Sequence, residues 1–275
     1  DLDSADEAAK RRKELPLLQR IVKHFSKDRA VYRELVINAE TLEKRVALLT
    51  NGVLDKFEIE HKGENRMVGA IFKGRVQNLE GGLKAAFVDI GLKKNAFIHY
   101  WDMIPEDAAR LEREEGIRAK SSTSRRKKYK PGEMQKLFPV GSEIIVQVTK
   151  DAIGTKGPRV TANLSIPGRF LVMMPGTHLK GISRKIDDVK ERNRLKKVLA
   201  RLPVPENIGL IVRTAGSGTR KVSFARDART LFEIWNDIER GIKETPPPCC
   251  LYSEPRLAER VVRDYLTEDI DRIYI

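Results

Sequence analysis

Residues 69–103 of this 275-residue chain read GAIFKGRVQNLEGGLKAAFVDIGLKKNAFIHYWDM, and this stretch decides how the first half of the sequence is interpreted. Three short runs of β-type residues, 70–76, 85–90 and 96–100, alternate with turns that contain glycine. Short strands joined by glycine turns are typical of antiparallel β-structure rather than of helices. The stretch therefore predicts a small antiparallel β-barrel.

Two phenylalanines of this stretch, Phe87 and Phe97, each stand one position from an aliphatic neighbour. Because side chains alternate between the two faces of a strand, both rings can lie on one exposed face, where they would stack against single-stranded bases. The opposite interpretation, that both rings belong to the barrel core, fits the spacing equally well. The cations expected beside the exposed rings, which would attract phosphates, are Lys73, Arg75, Lys93 and Lys94.

The overall charge favours a polyanionic partner. The chain carries 53 Lys and Arg residues against 39 Asp and Glu, a formal net charge of +14, and its isoelectric point is about 9.7. Nucleic acid is the partner that such an excess indicates, and a solvated cationic face is the alternative. The only cysteines, Cys249 and Cys250, are adjacent, which predicts neither a disulfide framework nor a zinc site and fits a reducing cytosol. No apolar run of the sequence reaches the length of a membrane span.

The segments on either side of the predicted barrel differ in character. Residues 1–30 mix charges of both signs and are interpreted as a solvated extension. Three strands follow, and the last two are joined at Asn51-Gly52, which supplies the positive φ that a tight hairpin requires. An insertion at 104–139 contains the basic run KSSTSRRKKYK at 120–130. This run would attract phosphates without reading sequence, or it is a solvated loop.

From residue 165 onward the pattern becomes mixed α/β. The apolar strand IGLIVRT at 208–214 ends in Arg213 and Thr214, directly before the glycine-bearing segment AGSGTRK. Arginine offers a planar fork of donors and threonine a hydroxyl, so this pair would hold a terminal phosphate, or it is an ordinary strand end. AGSGTRK lacks the spacing of a nucleotide P-loop. The helices predicted in this part of the chain are 189–202, 226–243 and 257–266.

The sequence offers no arrangement of catalytic or metal-ligating side chains. The carboxylate pairs Asp187-Asp188 and Asp269/Asp271 fit a helix cap and a turn better than a magnesium site. The histidines show no ligand spacing and are interpreted as surface or core residues. They are His24, His61, His99 and His178.

Four motifs follow one another along the chain: GRVQNLEGGLKAAFVDIGLKKNAFIH at 74–99, GISRKI at 181–186, GLIVRTAG at 209–216 and LAERVVRDYLTEDIDRIYI at 257–275. In this order and at these separations they resemble the amino-terminal half of the bacterial ribonuclease E/G endoribonucleases, closer to ribonuclease G. The likeness extends over residues 35–275. It does not cover residues 1–30 or much of the 104–139 insertion.

The resemblance implies an α+β multidomain fold in which two insertions split an RNase H-like subdomain. This subdomain would comprise 31–65 and 259–275. The first insertion, 66–162, would be an OB-fold RNA-binding barrel of the ribosomal S-one type. The second, 163–258, would be an α/β domain that senses a 5′-monophosphorylated RNA end. The catalytic DNase I-like domain would follow residue 275, so the chain is expected to be truncated before it.

The resemblance also assigns binding residues. Phe87, Phe97 and Lys156 correspond to the barrel residues that hold single-stranded RNA. A 5′-monophosphate carries nearly two negative charges at pH 7, so charge-assisted hydrogen bonds suit its recognition. The residues that correspond to the 5′-phosphate pocket are Gly168 (through its backbone amide), Val172 (against the terminal base), Arg184, Arg213 and Thr214.

These correspondences imply the RNA-binding and 5′-sensing part of a cytoplasmic, magnesium-dependent endoribonuclease that acts in rRNA and tRNA processing and in mRNA decay. Neither catalytic residues nor a metal site is expected within 1–275. Magnesium would be held by the catalytic domain and zinc by a link between protomers, both beyond residue 275. Expected partners are single-stranded RNA with a 5′-monophosphate, further copies of the chain in a dimer or tetramer, and ribosome- or degradosome-type proteins. The alternatives are a non-catalytic RNA-binding module of ribosomes or ribonucleoprotein, and a nucleotide-binding regulator that uses AGSGTRK.

Overall fold

The computed structural model describes residues 31–63, 66–104, 131–266 and 270–275. The predicted extension at 1–30 and the basic run at 120–130 lie outside the described residues. The chain forms two compact units. The split unit combines the residues before 66 with Pro255–Ile275, and the continuous unit is Arg66–Glu254. In the part of the chain that the structure describes, no helix is both long and apolar enough to cross a membrane.

The secondary structure mixes short strands with a few helices. The strands are β1 (Arg33–Ala39), β2 (Glu43–Thr50), β3 (Val53–His61), β4 (Ile71–Glu80), β5 (Ala85–Asp89), β6 (Ala96–His99), β7 (Glu143–Lys150), β8 (Arg159–Thr161), β9 (Ile166–Pro167), β10 (Leu171–Pro175), β11 (Lys180–Ile182), β12 (Ile208–Val212), β13 (Cys249–Tyr252) and β14 (Arg272–Tyr274). The helices are α1 (Tyr100–Met103), α2 (Pro131–Leu137), α3 (Val189–Ala200), α4 (Lys221–Glu244) and α5 (Leu257–Asp264).

The split unit is a four-stranded sheet with one helix packed on it. The strand order is β14-β1-β2-β3, in which β14 is parallel to β1 and the other pairs are antiparallel. The predicted hairpin between β2 and β3 is confirmed, since Asn51 and Gly52 have φ of 53° and 80°. Its core joins the inner face of the sheet to α5 and contains Leu35, Val46, Leu48, Leu257 and Val261.

The first half of the continuous unit is a closed five-stranded β-barrel, which confirms the barrel prediction and is compatible with an OB-fold. The strand order is β4-β5-β6-β8-β7, and β7 pairs with β4 to close the barrel. All of these pairs are antiparallel except β6 with β8. Alternate residues of the strands fill the interior, among them Val76, Ala86, Val88, Ala96, Ile98, Val146 and Val160.

The second half of the continuous unit is a sheet of order β11-β12-β10-β9, with α3 and α4 contributing to its core. This confirms the predicted α/β character. Helix α4 begins at Lys221 rather than at 226, because Phe224 is fully buried one turn before the first core residue that the spacing identified, Ala228. Helix α3 starts after Asp188, whose side chain accepts a hydrogen bond from the Lys190 amide at 2.9 Å, so the predicted cap is confirmed.

Candidate nucleic-acid interface

Phe87 and Phe97 lie on the outer face of the barrel. They are directly opposite each other on β5 and β6, and their rings meet edge to face with centroids 5.9 Å apart. The neighbours of each ring along its strand are fully buried, whereas both rings are only partly buried. This alternation excludes the interpretation that the two rings form the barrel core. A partly exposed aromatic pair of this kind can offer π-faces to unpaired bases.

Two further rings, one at the end of β6 and one in α1, extend this pair. His99 lies edge-on to Phe97 with ring centroids 4.7 Å apart, and Trp101 stacks on His99 at 4.1 Å with an angle of 15° between the planes. We call these four residues the aromatic row. Sequence reasoning missed its second half, because His99 was interpreted only as a surface or core residue and Trp101 was not considered. The alternation of rings at positions 97, 99 and 101 was the signal that would have found it.

Lys156 lies in a loop that runs beside the aromatic row. The loop is closed by two backbone hydrogen bonds between Ile153 and Lys156, of 3.2 and 2.9 Å, and the Lys156 side chain is exposed. Two residues later, the Pro158 carbonyl accepts the Phe97 amide hydrogen bond at 2.8 Å. The loop packs so closely that a Cβ at Gly157 would lie 2.0 Å from a backbone oxygen of the 92–95 turn. The backbone of the loop that carries Lys156 is therefore fixed beside Phe97.

Of the four cations expected beside the rings, Arg75, Lys93 and Lys94 are exposed, but the expectation for Lys73 is wrong. Lys73 is 8% exposed, and its ammonium group donates to the carbonyls of Ile242 and Thr245 at 2.9 and 3.1 Å. These carbonyls are at the carboxyl-terminal end of α4, which favours a cation. Lys73 also pairs with Glu143 at 3.0 Å. It joins the barrel to α4 instead of facing solvent.

The residues assigned to a phosphate pocket lie along one edge of the second sheet. Strands β11 and β12 are parallel, so Arg184 and Arg213, which follow them, lie at the same edge. The Ser183 amide donates to the Val212 carbonyl at 2.8 Å, and the Ser183 and Thr214 hydroxyl oxygens are 3.4 Å apart. Thr214 and Arg184 are exposed. The edge therefore presents two guanidinium groups and two hydroxyls, which suit a phosphate.

Gly168 belongs to the same edge because Arg213 contacts it directly. The Arg213 guanidinium donates to the Gly168 carbonyl at 2.5 Å, and the Arg213 amide donates to the Phe170 carbonyl at 2.8 Å. The Gly168 amide, which the resemblance assigns to the phosphate, donates to the Leu171 carbonyl at 2.8 Å in this structure. Val172 lies farther along β10, in a small apolar cluster with Met174, Leu179 and Ile211.

Asp227 of α4 fixes the turn that begins at Gly168. Its carboxylate accepts hydrogen bonds from the amides of Arg169, Phe170 and Leu171 at 3.0, 2.8 and 2.9 Å. A Cβ on Gly168 would come within 2.8 Å of both carboxylate oxygens, so only glycine fits there without a shift. Sequence reasoning did not identify Asp227. The available signal was the presence of an aspartate in the interior of a helix, one residue before the core-facing Ala228. Aspartate is unfavourable at such a position unless its carboxylate has a specific partner.

The loop after Thr214 is tied to α3. Glu191 accepts the Gly218 amide hydrogen bond at 2.9 Å and forms an ion pair with Arg194 at 2.6 Å. The hydrogen bond from Arg194 is the main cause that lowers the pKa of Glu191, burial opposes it, and the Gly218 amide adds to it. The loop thus holds its shape through side chains and does not form a P-loop.

The described residues contain no group of three or more His, Cys, Asp or Glu side chains placed to hold a metal ion. Asp188 caps α3, and the Asp271 carboxylate accepts the Arg33 amide hydrogen bond at 2.9 Å. Asp269 lies outside the described residues.

Comparison with known proteins agrees with this arrangement. Residues 165–275 match the model of the ribonuclease E/G family. The chain is 38% identical to ribonuclease G of Escherichia coli K12 over 242 residues, which is 88% of this chain and 47% of that protein. It is 34% identical to ribonuclease G of Haemophilus influenzae over 243 residues (88% and 47%), and 33% identical to ribonuclease E of the same organism over 249 residues (88% and 25%). The chain spans about half the length of the ribonuclease G proteins it matches, and over that span it belongs to the ribonuclease E/G family.

Proposed function

We propose that this chain is the RNA-binding and 5′-monophosphate-sensing part of a single-strand endoribonuclease of the ribonuclease E/G type, acting in RNA processing and mRNA decay. The observation that carries the proposal is the pair of surfaces in the continuous unit. One is the exposed Phe87–Phe97 ring pair with Lys156 beside it, and the other is the sheet edge where Arg213 contacts Gly168. The first suits the bases and backbone of a single strand, and the second suits its terminal phosphate.

The domain assignment follows from the same reasoning. Residues 66–162 would act as the OB-fold domain and residues 163–258 as the 5′-sensor. Residues 31–65 and 259–275 would form the RNase H-like subdomain, whose support is the parallel pairing of β14 with β1. The pocket would consist of Gly168, Val172, Arg184, Arg213 and Thr214.

The reaction of the whole protein would be metal-assisted hydrolysis of RNA, in which Mg²⁺ activates a water molecule. The described residues offer no cluster of ligands that fits Mg²⁺ or Zn²⁺. We assign no step of the reaction to residues 1–275, and the proposal places both metals outside them, as the resemblance to the family implies. Assembly into a dimer or tetramer, a cytoplasmic location and contacts with ribosome- or degradosome-type proteins complete the proposal.

The 5′-sensing role is tested by measuring the affinity of the chain for two RNAs that differ only at the 5′ end. We expect 5′-monophosphorylated RNA to bind about tenfold or more tightly than 5′-hydroxyl RNA, since hydrogen bonds to charged groups contribute about 1.5–3 kcal/mol. Arg213→Ala should abolish this difference and leave the affinity for 5′-hydroxyl RNA unchanged. Arg213→Lys keeps the positive charge but not the planar guanidinium, so it should retain part of the preference for the 5′-monophosphate.

The matched control is Arg229→Ala, because Arg229 is an exposed arginine of the same unit that pairs with Glu233 on α4. It should leave the preference intact. An equal preference in wild type and Arg213→Ala, with both proteins folded by circular dichroism, would rule out the pocket.

The barrel surface is tested independently with Phe87→Ala and 5′-hydroxyl oligonucleotides. The loss of one stacked base should weaken binding by about 1–3 kcal/mol. Because Phe87 lies outside the barrel core, the variant should keep the unfolding midpoint close to that of the wild type. Unchanged affinity in a folded variant would contradict the role of this ring.

A further inference from the structure

Trp101 lies outside the hydrophobic core of the barrel. It is the one residue of the four-residue helix α1 that is not buried: Tyr100, Asp102 and Met103 are 2%, 6% and 1% exposed. Among the described residues, the partly buried side chains that complete the barrel core are Met67, Leu79, Leu92, Ile104 and Phe138, and Trp101 is not one of them. Trp101 is thus a partly exposed indole outside the core, next to a surface proposed to bind RNA, and an indole at such a position suits contact with a ligand.

The indole is held in a fixed orientation. His99 stacks on it at 4.1 Å, and the helix that carries it is anchored through Asp102. The Asp102 carbonyl accepts the Ala162 amide hydrogen bond at 2.7 Å, and the Asp102 carboxylate pairs with the Arg159 guanidinium at 3.3 Å. A ring that is already oriented loses little conformational freedom when a base stacks on it.

The position of Trp101 continues the proposed path of the strand. The ring contacts are continuous: Phe87 meets Phe97, Phe97 meets His99 and His99 meets Trp101 at centroid distances of 5.9, 4.7 and 4.1 Å. Phe97 and His99 share one face of β6, and Trp101 follows in α1. Arg159, paired with Phe97 across the sheet and 40% exposed in its side chain, lies beside this row, where its charge is offset by Asp102.

We propose that Trp101 is a further base-stacking residue, so that a single RNA strand lying across Phe87 and Phe97 continues past His99 to α1 and places another base on the indole. His99 acts as the positioning ring beneath it. This inference rests on the proposed RNA-binding function of the barrel and adds a subsite to it. The ligand is single-stranded RNA, recognised through the π-faces of its bases without a sequence requirement.

Fluorescence provides a direct test, because the chain has only two tryptophans. The second one, Trp235, packs against the core of the other sheet, so Trp235→Phe leaves Trp101 as the single reporter. In this variant of the 275-residue chain, titration with oligouridylate should quench the emission, since a stacked base contacts the indole. The complementary Trp101→Phe variant, which reports through Trp235, should show no quenching. Binding without quenching of Trp101 would overturn the proposal.

Affinity measurements separate this inference from the function on which it rests. With labelled oligouridylates of increasing length and anisotropy detection, Trp101→Ala should weaken binding of long oligomers by about five- to tenfold or more. It should not affect oligomers too short to extend beyond the Phe87–Phe97 pair, and Trp101→Phe should retain much of the affinity. If Phe87→Ala weakens binding at every length but Trp101→Ala weakens it at none, the additional subsite is refuted and the barrel function stands. If the wild-type chain binds no oligomer, the proposed function itself fails.

Discussion

Replacing Asp227 by alanine should loosen the turn on which the proposed phosphate site depends. The carboxylate accepts three backbone hydrogen bonds, from Arg169, Phe170 and Leu171, and all three amides would lose their acceptor. Water can replace the acceptor at the two partly exposed residues, but the side chain of Leu171 is fully buried. A buried amide without an acceptor costs about 1–3 kcal/mol and each charge-assisted bond contributes further, so we expect a loss of about 2–4 kcal/mol. Urea unfolding measures this loss, and hydrogen exchange of residues 169–171 should accelerate with it.

The same geometry predicts a non-additive pair of substitutions. Gly168→Ala alone should be destabilising, because its Cβ would lie 2.8 Å from both oxygens of a carboxylate that is held by three amides. Once Asp227→Ala has removed the carboxylate, Gly168→Ala should cost at least about 1 kcal/mol less. The control is Asp237→Ala, another aspartate of α4 whose exposed side chain pairs with Arg240, and it should change stability by less than about 0.5 kcal/mol. If Asp227→Ala has the same urea midpoint and exchange rates as Asp237→Ala, the clamp has no role and this reasoning is refuted.

Three other predictions concern neighbouring features. Glu191, whose pKa is lowered mainly by Arg194, contributes stability that is present above its ordinary pKa of 4.5 and is lost as the pH falls through the lowered pKa of the folded state. Glu191→Gln should therefore reduce the urea midpoint at pH 6, and its difference from wild type should shrink as the pH falls below 4.5; a constant difference would contradict this. Gly157→Ala would place a Cβ 2.0 Å from a neighbouring backbone oxygen, so it should weaken RNA binding severalfold, whereas Thr155→Ala in the same loop should not. Deleting residues 120–130 should make log affinity for RNA fall less steeply with log salt, and an unchanged slope would exclude phosphate contacts by this run.

The local pattern of the chain was sufficient for much of the architecture. The alternation of apolar residues and glycine turns in 69–103 predicted the barrel, and Asn51-Gly52 predicted a hairpin that the structure contains. The sequence also predicted that Arg213 and Thr214 stand at the end of an apolar strand. In the structure they follow β12, at the edge of the sheet that carries the exposed polar groups. These features depend on a few consecutive residues, whose side-chain direction and backbone preference are fixed by the strand period and by turn chemistry.

What the sequence by itself left open was decided by contacts between residues far apart in the chain. Spacing could not tell which face of the barrel Phe87 and Phe97 occupy, because a shift of one residue in pairing exchanges the two faces of a strand. Only closure of β7 onto β4 places these rings outside and buries Lys73 beneath α4. The hydrogen bonds from the turn at 169–171 to Asp227, 56–58 positions later in the chain, also depend on tertiary structure. The carboxylate can accept from three amides only when α4 packs on the sheet. The sequence thus determined which elements form, whereas tertiary packing decided which of their side chains remain available at the proposed RNA interface.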